Sequence, residues 1–160
     1  MQSSDPATIS QMVTKFANID YPLPSGFRYY AGAETAQGTS IRIVHDQNLQ
    51  YITLSSVQLS EPTEVRDQTL LDKLLTPGRY DAGLGGKVVG VKDHGNVTIA
   101  GKSIGYGIVS VDKGGKQCEA FIAVLSNGQH SRITTIRGQQ VQGPYDLAEM
   151  QSFLNAIKSM

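Results

Sequence analysis

The chain begins and ends with amphipathic patterns that predict helices. In the first pattern the apolar positions lie three or four residues apart, at Ile9, Met12, Val13 and Phe16. Asp5 can cap such a helix and Pro6 suits its first turn, so this pattern predicts a helix over residues 6–17. Near the end, a D-x-x-E capping pattern that starts at Asp146 precedes an apolar stripe of Leu147, Met150, Phe153, Leu154 and Ile157. This stripe predicts a closing helix over residues 146–158.

The first half of the chain between these helices predicts three strands and a middle helix. Short apolar segments bounded by turn residues predict strands at 27–31, 41–44 and 51–57. The polar turn Asp46-Gln47-Asn48 separates the last two, which indicates an antiparallel meander. A second helix is predicted over residues 63–75, where one face carries Leu70, Leu71, Leu74 and Leu75. Thr76-Pro77-Gly78 ends it.

The second half reads as a series of hairpins. Strands are predicted at 87–91, 96–99, 103–111, 117–125 and 129–137. The turns between them are Asp93-His94-Gly95, Ala100-Gly101-Lys102, Lys113-Gly114-Gly115-Lys116 and Ser126-Asn127-Gly128. An Asn-Gly pair between alternating apolar residues is a strong hairpin signal.

The fold class follows from which strand faces are apolar. Strands 103–111 and 118–125 carry apolar side chains on both faces, so both faces require a cover. The sequence therefore predicts an α+β domain, a central mainly antiparallel sheet with helices on both faces. One domain over residues 1–160 is expected, with the sheet and middle helix within 19–137.

Composition narrows the classes of partner. The 14 basic residues balance the 14 acidic ones, which argues against a nucleic-acid partner. Residues 87–137 are locally basic, a feature of strand exteriors that block edge pairing or of a mild basic face. No apolar stretch reaches the roughly 20 residues of a membrane span, so we expect no direct membrane insertion of this chain. Cys118 is the sole cysteine, which excludes an intrachain disulfide, and a small buried side chain is expected there.

The first residues show no targeting signal, but they are compatible with one that was removed. Met1-Gln2-Ser3-Ser4-Asp5 resembles a start codon or tag remnant before a polar leader. This favours a periplasmic or other extracytoplasmic protein whose targeting signal was removed, over a cytoplasmic one.

No segment of the sequence fully matches a motif for a cofactor or for catalysis. Each candidate has either a residue at the wrong position or the wrong secondary structure next to it. Gly101-Lys102-Ser103 ends like a phosphate-binding loop, but Asn96 stands where the first glycine belongs and a strand follows. The glycines at 83–86 follow no apolar strand and open no helix. His45, His94 and His130 lack metal-ligand spacing and are expected to be solvated turn residues. We therefore expect no cofactor, no metal and no assigned catalytic residue, with neither ATP nor stoichiometric zinc bound.

One loop stands out as a candidate for interaction. Residues 76–86 combine several glycines with Arg79, Tyr80 and Asp81. Arg and Tyr often anchor protein interfaces, and a glycine-rich connector is expected to be loosely held. These three residues form the candidate interaction loop; the alternative is a crossover that merely spans the sheet.

With its elements in order, the chain resembles the PsbP-like superfamily over about residues 19–158. The resemblance rests on Leu23-Pro24-Ser25-Gly26-Phe27 at the start of the sheet, Val97-Thr98-Ile99-Ala100-Gly101 before the long hairpin, and the closing Phe153-Leu154-Asn155-Ala156-Ile157. That superfamily includes the extrinsic P protein of photosystem II, a Ran-binding nuclear-import factor and uncharacterised bacterial proteins. The resemblance implies an α/β/α sandwich, a bacterial branch whose members are mostly exported or membrane-tethered, and no transferable functional residue. The leading helix departs from the photosynthetic members.

Two functions stay open at this level. The leading hypothesis is a non-catalytic binding or accessory domain that acts through protein–protein contacts. The alternative is a small hydrolase or ligand-binding enzyme whose site is built from loops. A concave pocket with convergent polar groups would favour the enzyme, and a flat exposed patch would favour the binding domain.

Overall fold

The computed structural model describes residues 1–47, 49–127 and 129–160, and its architecture is a mostly antiparallel sheet with three helices. The helices are α1 (Pro6–Val13), α2 (Asp67–Leu74) and α3 (Leu147–Leu154). The strands are β1 (Gln2–Ser3), β2 (Asn18–Ile19), β3 (Phe27–Glu34), β4 (Gly38–His45), β5 (Gln50–Gln58), β6 (Tyr80–Asp81), β7 (Gly86–Ile99), β8 (Lys102–Lys113), β9 (Lys116–Asn127), β10 (Arg132–Gln140) and β11 (Ile157–Ser159). None of the helices in this part of the chain is long and apolar enough to cross a bilayer.

Nine strands form the main sheet in the order β1-β3-β4-β5-β10-β9-β8-β7-β6, and each neighbouring pair is antiparallel. The predicted meander is confirmed as β3-β4-β5. Strand β10 returns to pair with β5 on one side and β9 on the other, which joins the meander to the hairpins. The short strands β2 and β11 form a separate pair, in which Ile157 is opposite Ile19.

One predicted turn and three helix boundaries are wrong. Asp93-His94-Gly95 lies inside β7, where two bulges provide the local bend that the Asp and Gly residues suggested. Helix α1 stops at Val13 and the chain continues in tighter turns to Ala17. Helix α2 begins only at Asp67, and Arg66 gives it no side-chain cap. Helix α3 ends at Leu154, because the following residues form β11 instead.

Two of the predicted hairpin turns are confirmed. Ala100 and Gly101 both have positive φ, as a two-residue hairpin turn requires, and so do Gly114 and Gly115. The turns predicted at 46–48 and 126–128 include Asn48 and Gly128, which lie outside the described residues. Strand β9 continues through Asn127, beyond the predicted end at 125.

The core consists of two clusters to which β9 contributes alternate residues. Phe121, Ala123 and Leu125 belong to the first cluster, together with buried residues of α1 and α3. Ala120, Ile122 and Val124 belong to the second, together with Leu71 of α2. Successive side chains of a strand point to opposite sides, so β9 contributes one row of side chains to each cluster.

The closing helix is fixed by its cap and by its apolar stripe. The Asp146 carboxylate accepts a hydrogen bond from the Glu149 backbone N–H at 3.0 Å, which is the capping arrangement that the D-x-x-E pattern predicts. The buried members of the stripe are Met150, Phe153, Leu154 and Ile157, whereas Leu147 is half-buried. Burial of this stripe is what attaches α3 to the sheet.

Candidate functional site

The candidate interaction loop is held by an ion-pair cluster centred on Asp81. The Asp81 side chain is fully buried. Its carboxylate accepts a hydrogen bond from the Arg137 Nε on Oδ2 at 3.1 Å, and the same nitrogen lies 2.9 Å from Oδ1. The Arg79 guanidinium also donates to Oδ2. The Leu84 backbone N–H donates to Oδ1 at 2.9 Å. A buried carboxylate is stable only when such partners replace water. Loss of any one of them would therefore leave a buried charge or donor without a partner.

These partners set the ionisation of Asp81. Burial by itself would raise the pKa of the carboxyl group, but Arg137, Arg79 and the Leu84 N–H favour the charged form more strongly. The net result is a pKa below the ordinary value of 3.8. Asp81 is therefore a carboxylate at neutral pH, and its charge holds the loop against β10.

The three predicted loop residues have different environments. Arg79 also donates to the Leu74 carbonyl at 3.0 Å, which satisfies an end of α2, so the expected loose attachment does not describe Arg79 or Asp81. Leu84 is buried in the second cluster. Tyr80 is 65% exposed and lies on the short edge strand β6. Of the three, only Tyr80 presents a side chain that is mostly open to a partner.

The loop and α2 cover one part of a sheet face and leave another part open. The second cluster combines α2 and Leu84 with residues of β7, β8, β9 and Ile133 of β10. A Cβ on Gly83 would lie 2.8 Å from the Arg137 side chain, so the loop passes directly over β10. Among the described residues, none from β3, β4 or β5 belongs to this cluster. The cover therefore ends at β10.

We call the uncovered surface of β3, β4 and β5 the open face, defined by Arg28, Tyr30, Arg42, Tyr51, Thr53, Ser55 and Val57. The register of the three strands determines which residues of the open face lie side by side. Arg28, Val44 and Tyr51 are successive partners across the three strands, as are Ala31, Arg42 and Thr53. Thr53 is in turn opposite Arg137. The open face thus runs without a break to the edge of the loop.

Exposed aromatic and apolar side chains mark the open face. Tyr30 is 51% exposed, Tyr51 40% and Val57 44%. Tyr30 sits at a bulge in β3, and the Arg28 guanidinium carbon lies 5.9 Å from the centre of its ring. Tyrosine combines a large apolar surface with a polar end, which suits a surface that is alternately solvated and covered.

The charge of the open face is positive. Strands β4, β5 and β10 contain no Asp or Glu. Arg28 pairs with Asp46 at 2.8 Å, with both side chains about half exposed. Arg42 is exposed and forms no ion pair with any residue that the structure describes. An aromatic surface with an uncompensated arginine favours an acidic partner.

A buried polar cluster lies next to α3. The Gln50 side chain, fully buried, donates from Nε2 to Glu149 at 2.9 Å and accepts from the Tyr145 hydroxyl. His45 lies 3.7 Å from Glu149 and is buried, so the expectation of a solvated turn histidine is wrong for this residue. Burial and the nearby Glu149 carboxylate raise the pKa of Tyr145 well above its ordinary value.

This cluster positions the start of the closing helix. Gly138 leaves the space that it occupies, since a Cβ there would lie 2.4 Å from the Tyr145 hydroxyl and 2.5 Å from Met150. Tyr145 also donates its backbone N–H to Glu119 at 2.9 Å. These polar side chains form hydrogen bonds with one another next to α3. A buried network of this kind favours a single docked position of the helix.

A serine, a histidine and an aspartate meet near the start of α2, but not in the order of a catalytic triad. The Ser126 hydroxyl lies 2.7 Å from Asp67 and 3.0 Å from the His130 Nδ1. In a triad the histidine stands between the serine and the carboxylate, so that the carboxylate orients the imidazole. Here the serine stands in the middle, and Asp67 also accepts from the Ser126 backbone N–H. The arrangement ties the start of α2 to β9.

Comparison with known proteins adds little to this geometry. No protein-family model and no curated protein match the sequence. Among solved structures, the chain is similar to the crystal structure of LpqN, which is involved in cell envelope biogenesis of Mycobacterium tuberculosis. The identity is 16%, the TM-score is 0.43, and the match covers 86% of this chain and 76% of that one. A similarity of this size carries no argument for function.

The chain contains three histidines, one cysteine and several carboxylates, which are the side chains that bind metal ions. Among the residues that the structure describes, no group of three or more His, Cys, Asp or Glu side chains is arranged to hold an ion. The composition of the loop pointed to Arg79 and Asp81, whereas no sequence pattern indicated Arg137 as their partner.

Proposed function

We propose that this domain is a non-catalytic binding or accessory module whose open face docks onto an acidic segment of a partner protein. The observation that carries the proposal is the uneven cover of one sheet face. Helix α2 and the loop bury β8 and β9, whereas β3, β4 and β5 display Tyr30, Tyr51 and Val57. Exposed apolar side chains grouped on one face, with few acidic residues among them, are typical of a protein-binding surface.

The chemistry of the face selects the partner. Arg42 supplies a positive charge next to Thr53, and Tyr51 lies in the adjacent row. A carboxylate-rich segment would pair with Arg42 while its apolar residues lie against the tyrosines. Tyr80, exposed at the far edge of the sheet, is proposed as a secondary contact of the same partner.

The architecture supports a PsbP-like α/β/α sandwich as part of this proposal. Residues of α1 and α3 join the cluster on one side of β9, and Leu71 of α2 joins the cluster on the other. We infer that the helices cover both faces, with the open face as the part of the second face that is left to a partner.

Isothermal titration with a defined peptide tests this proposal. A synthetic peptide of repeated Glu-Glu-Phe units is expected to bind the wild-type protein, and the matched Gln-Gln-Phe peptide to bind at least about tenfold more weakly. Arg42→Glu should reduce the affinity for the acidic peptide by about tenfold or more. Arg42 is exposed, so the variant is expected to fold.

Lys102→Glu is the matched control, because it makes the same charge change at an exposed position at the start of β8. It should leave the affinity for the peptide nearly unchanged at physiological salt. Equal losses for Arg42→Glu and Lys102→Glu would mean that only overall charge matters, and the proposal would be wrong.

A further inference from the structure

A cavity of about 340 Å³ opens where β5, β10 and the β8–β9 hairpin meet. Its walls include Tyr51, Cys118, Gln139 and Val141, with Lys113 and Lys116 from the hairpin turn. Register explains the arrangement, since Tyr51 is opposite Gln139 and Lys113 is opposite Lys116. The volume falls in the range of small-molecule sites, about 300–1,000 Å³.

The lining combines a short apolar wall with two ammonium groups. Val141 and the half-buried Cys118 supply apolar surface, and the Tyr51 ring is partly exposed beside them. No acidic residue lines the cavity among the described residues. An ammonium group without a neighbouring carboxylate is a point charge that recognises an anion.

The polar groups are already positioned. Lys113 donates from its Nζ to the Gln139 side-chain carbonyl, which places the ammonium group over the cavity wall. Lys116 is exposed at the rim. Burial raises the pKa of the Cys118 thiol, although the Lys113 ammonium opposes that shift. The thiol is therefore neutral at physiological pH and acts as apolar lining rather than as a nucleophile.

We propose that this cavity binds a small monocarboxylate with an apolar body, with the carboxylate at Lys113 and Lys116 and the body between Tyr51 and Val141. This cavity adjoins the open face and shares Tyr51 with it, but its cations are Lys113 and Lys116 rather than Arg42, so different variants test the two proposals. The ligand class follows from the two cations and the apolar wall, and the volume limits the ligand to a single short chain or ring.

The test is a titration of the wild-type protein with 4-phenylbutyrate, followed through amide chemical shifts. We expect shifts at Cys118, Gln139 and Val141 with a Kd on the order of 1 mM, the range that a probe of this size allows. The neutral amide, 4-phenylbutyramide, should bind at least about fivefold more weakly. Equal binding of the acid and the amide would overturn the role of the lysines.

Two variants distinguish the contribution of the Lys116 charge from that of the shape of the cavity. Lys116→Gln should weaken 4-phenylbutyrate binding about fivefold or more without changing the affinity for the amide. Val141→Trp should fill the cavity and abolish binding of both compounds; Val141 is 37% exposed, so the fold should persist. Lys102→Gln is the control and should bind as the wild type does. Shifts confined to another surface, or binding that survives Val141→Trp, would contradict the site.

Discussion

Replacing Asp81 with Asn should lower the free energy of unfolding by about 3–5 kcal/mol. The side chain is fully buried, and it is the shared partner of Arg79 and Arg137. The amide that replaces it has no charge, so Arg137, only 12% exposed, would keep its positive charge without compensation. Urea denaturation followed by circular dichroism measures the loss.

Asp46→Asn is the matched control, because Asp46 also accepts a hydrogen bond from an arginine Nε, that of Arg28 at 2.8 Å. Both side chains of that pair are 54% exposed, so its loss should cost at most about 1 kcal/mol. Similar losses for the two variants would show that the Asp81 cluster does not hold the loop.

The same cluster predicts how stability depends on pH. The pKa of Asp81 is lower in the folded protein than the ordinary 3.8, so the folded state favours the charged form. The stabilisation is fully present above the pKa of the unfolded chain and is lost as the pH falls through the folded pKa. Wild-type stability should therefore fall more steeply than that of Asp81→Asn as the pH falls below about 4.

Replacing Leu154 with Ala should lower the free energy of unfolding by about 2–5 kcal/mol. Leu154 is fully buried in the first cluster, at the end of α3 where the chain turns into β11. The substitution removes apolar contacts and leaves a cavity that β11 and the sheet can fill only in part. Chemical denaturation with an unchanged m-value would attribute the loss to the folded state.

Val89→Ala is the control for this substitution, since Val89 is 48% exposed on β7. It removes apolar atoms from a solvated position and should change stability by less than about 0.5 kcal/mol. A loss at Leu154 no larger than that at Val89 would mean that α3 is not part of the core.

The sequence predicted the elements whose signals are local. The apolar stripe and cap of α3, and the positive-φ turns at Ala100-Gly101 and Gly114-Gly115, depend on residues close together in the chain. The turn predicted at Asp93–Gly95 failed because pairing with β8 keeps the segment in β7, and bulges absorb the bend. The end of α3 was missed because β11 pairs with β2, from the opposite end of the chain.

The candidate site was harder to predict, because its partners are distant in sequence. Arg79 and Asp81 were singled out for an exposed loop, yet Arg137, 56 residues away, makes Asp81 a buried ion-pair centre. His45 likewise meets Glu149 only through the docking of α3. The open face depends on where α2 and the loop stop covering the sheet, which no periodic pattern in the chain specifies.

The footprint of the Glu-Glu-Phe peptide on the amide chemical shifts of the wild-type protein tests the proposed binding role most directly. We expect the largest shifts at Tyr30, Arg42 and Tyr51, and their loss in Arg42→Glu. Residues of the groove between α2 and the β7–β8 hairpin, such as Gln68 and His94, should be unaffected. A footprint on that groove, or the absence of any shift on β3, β4 and β5, would contradict the assignment of the open face as the docking surface.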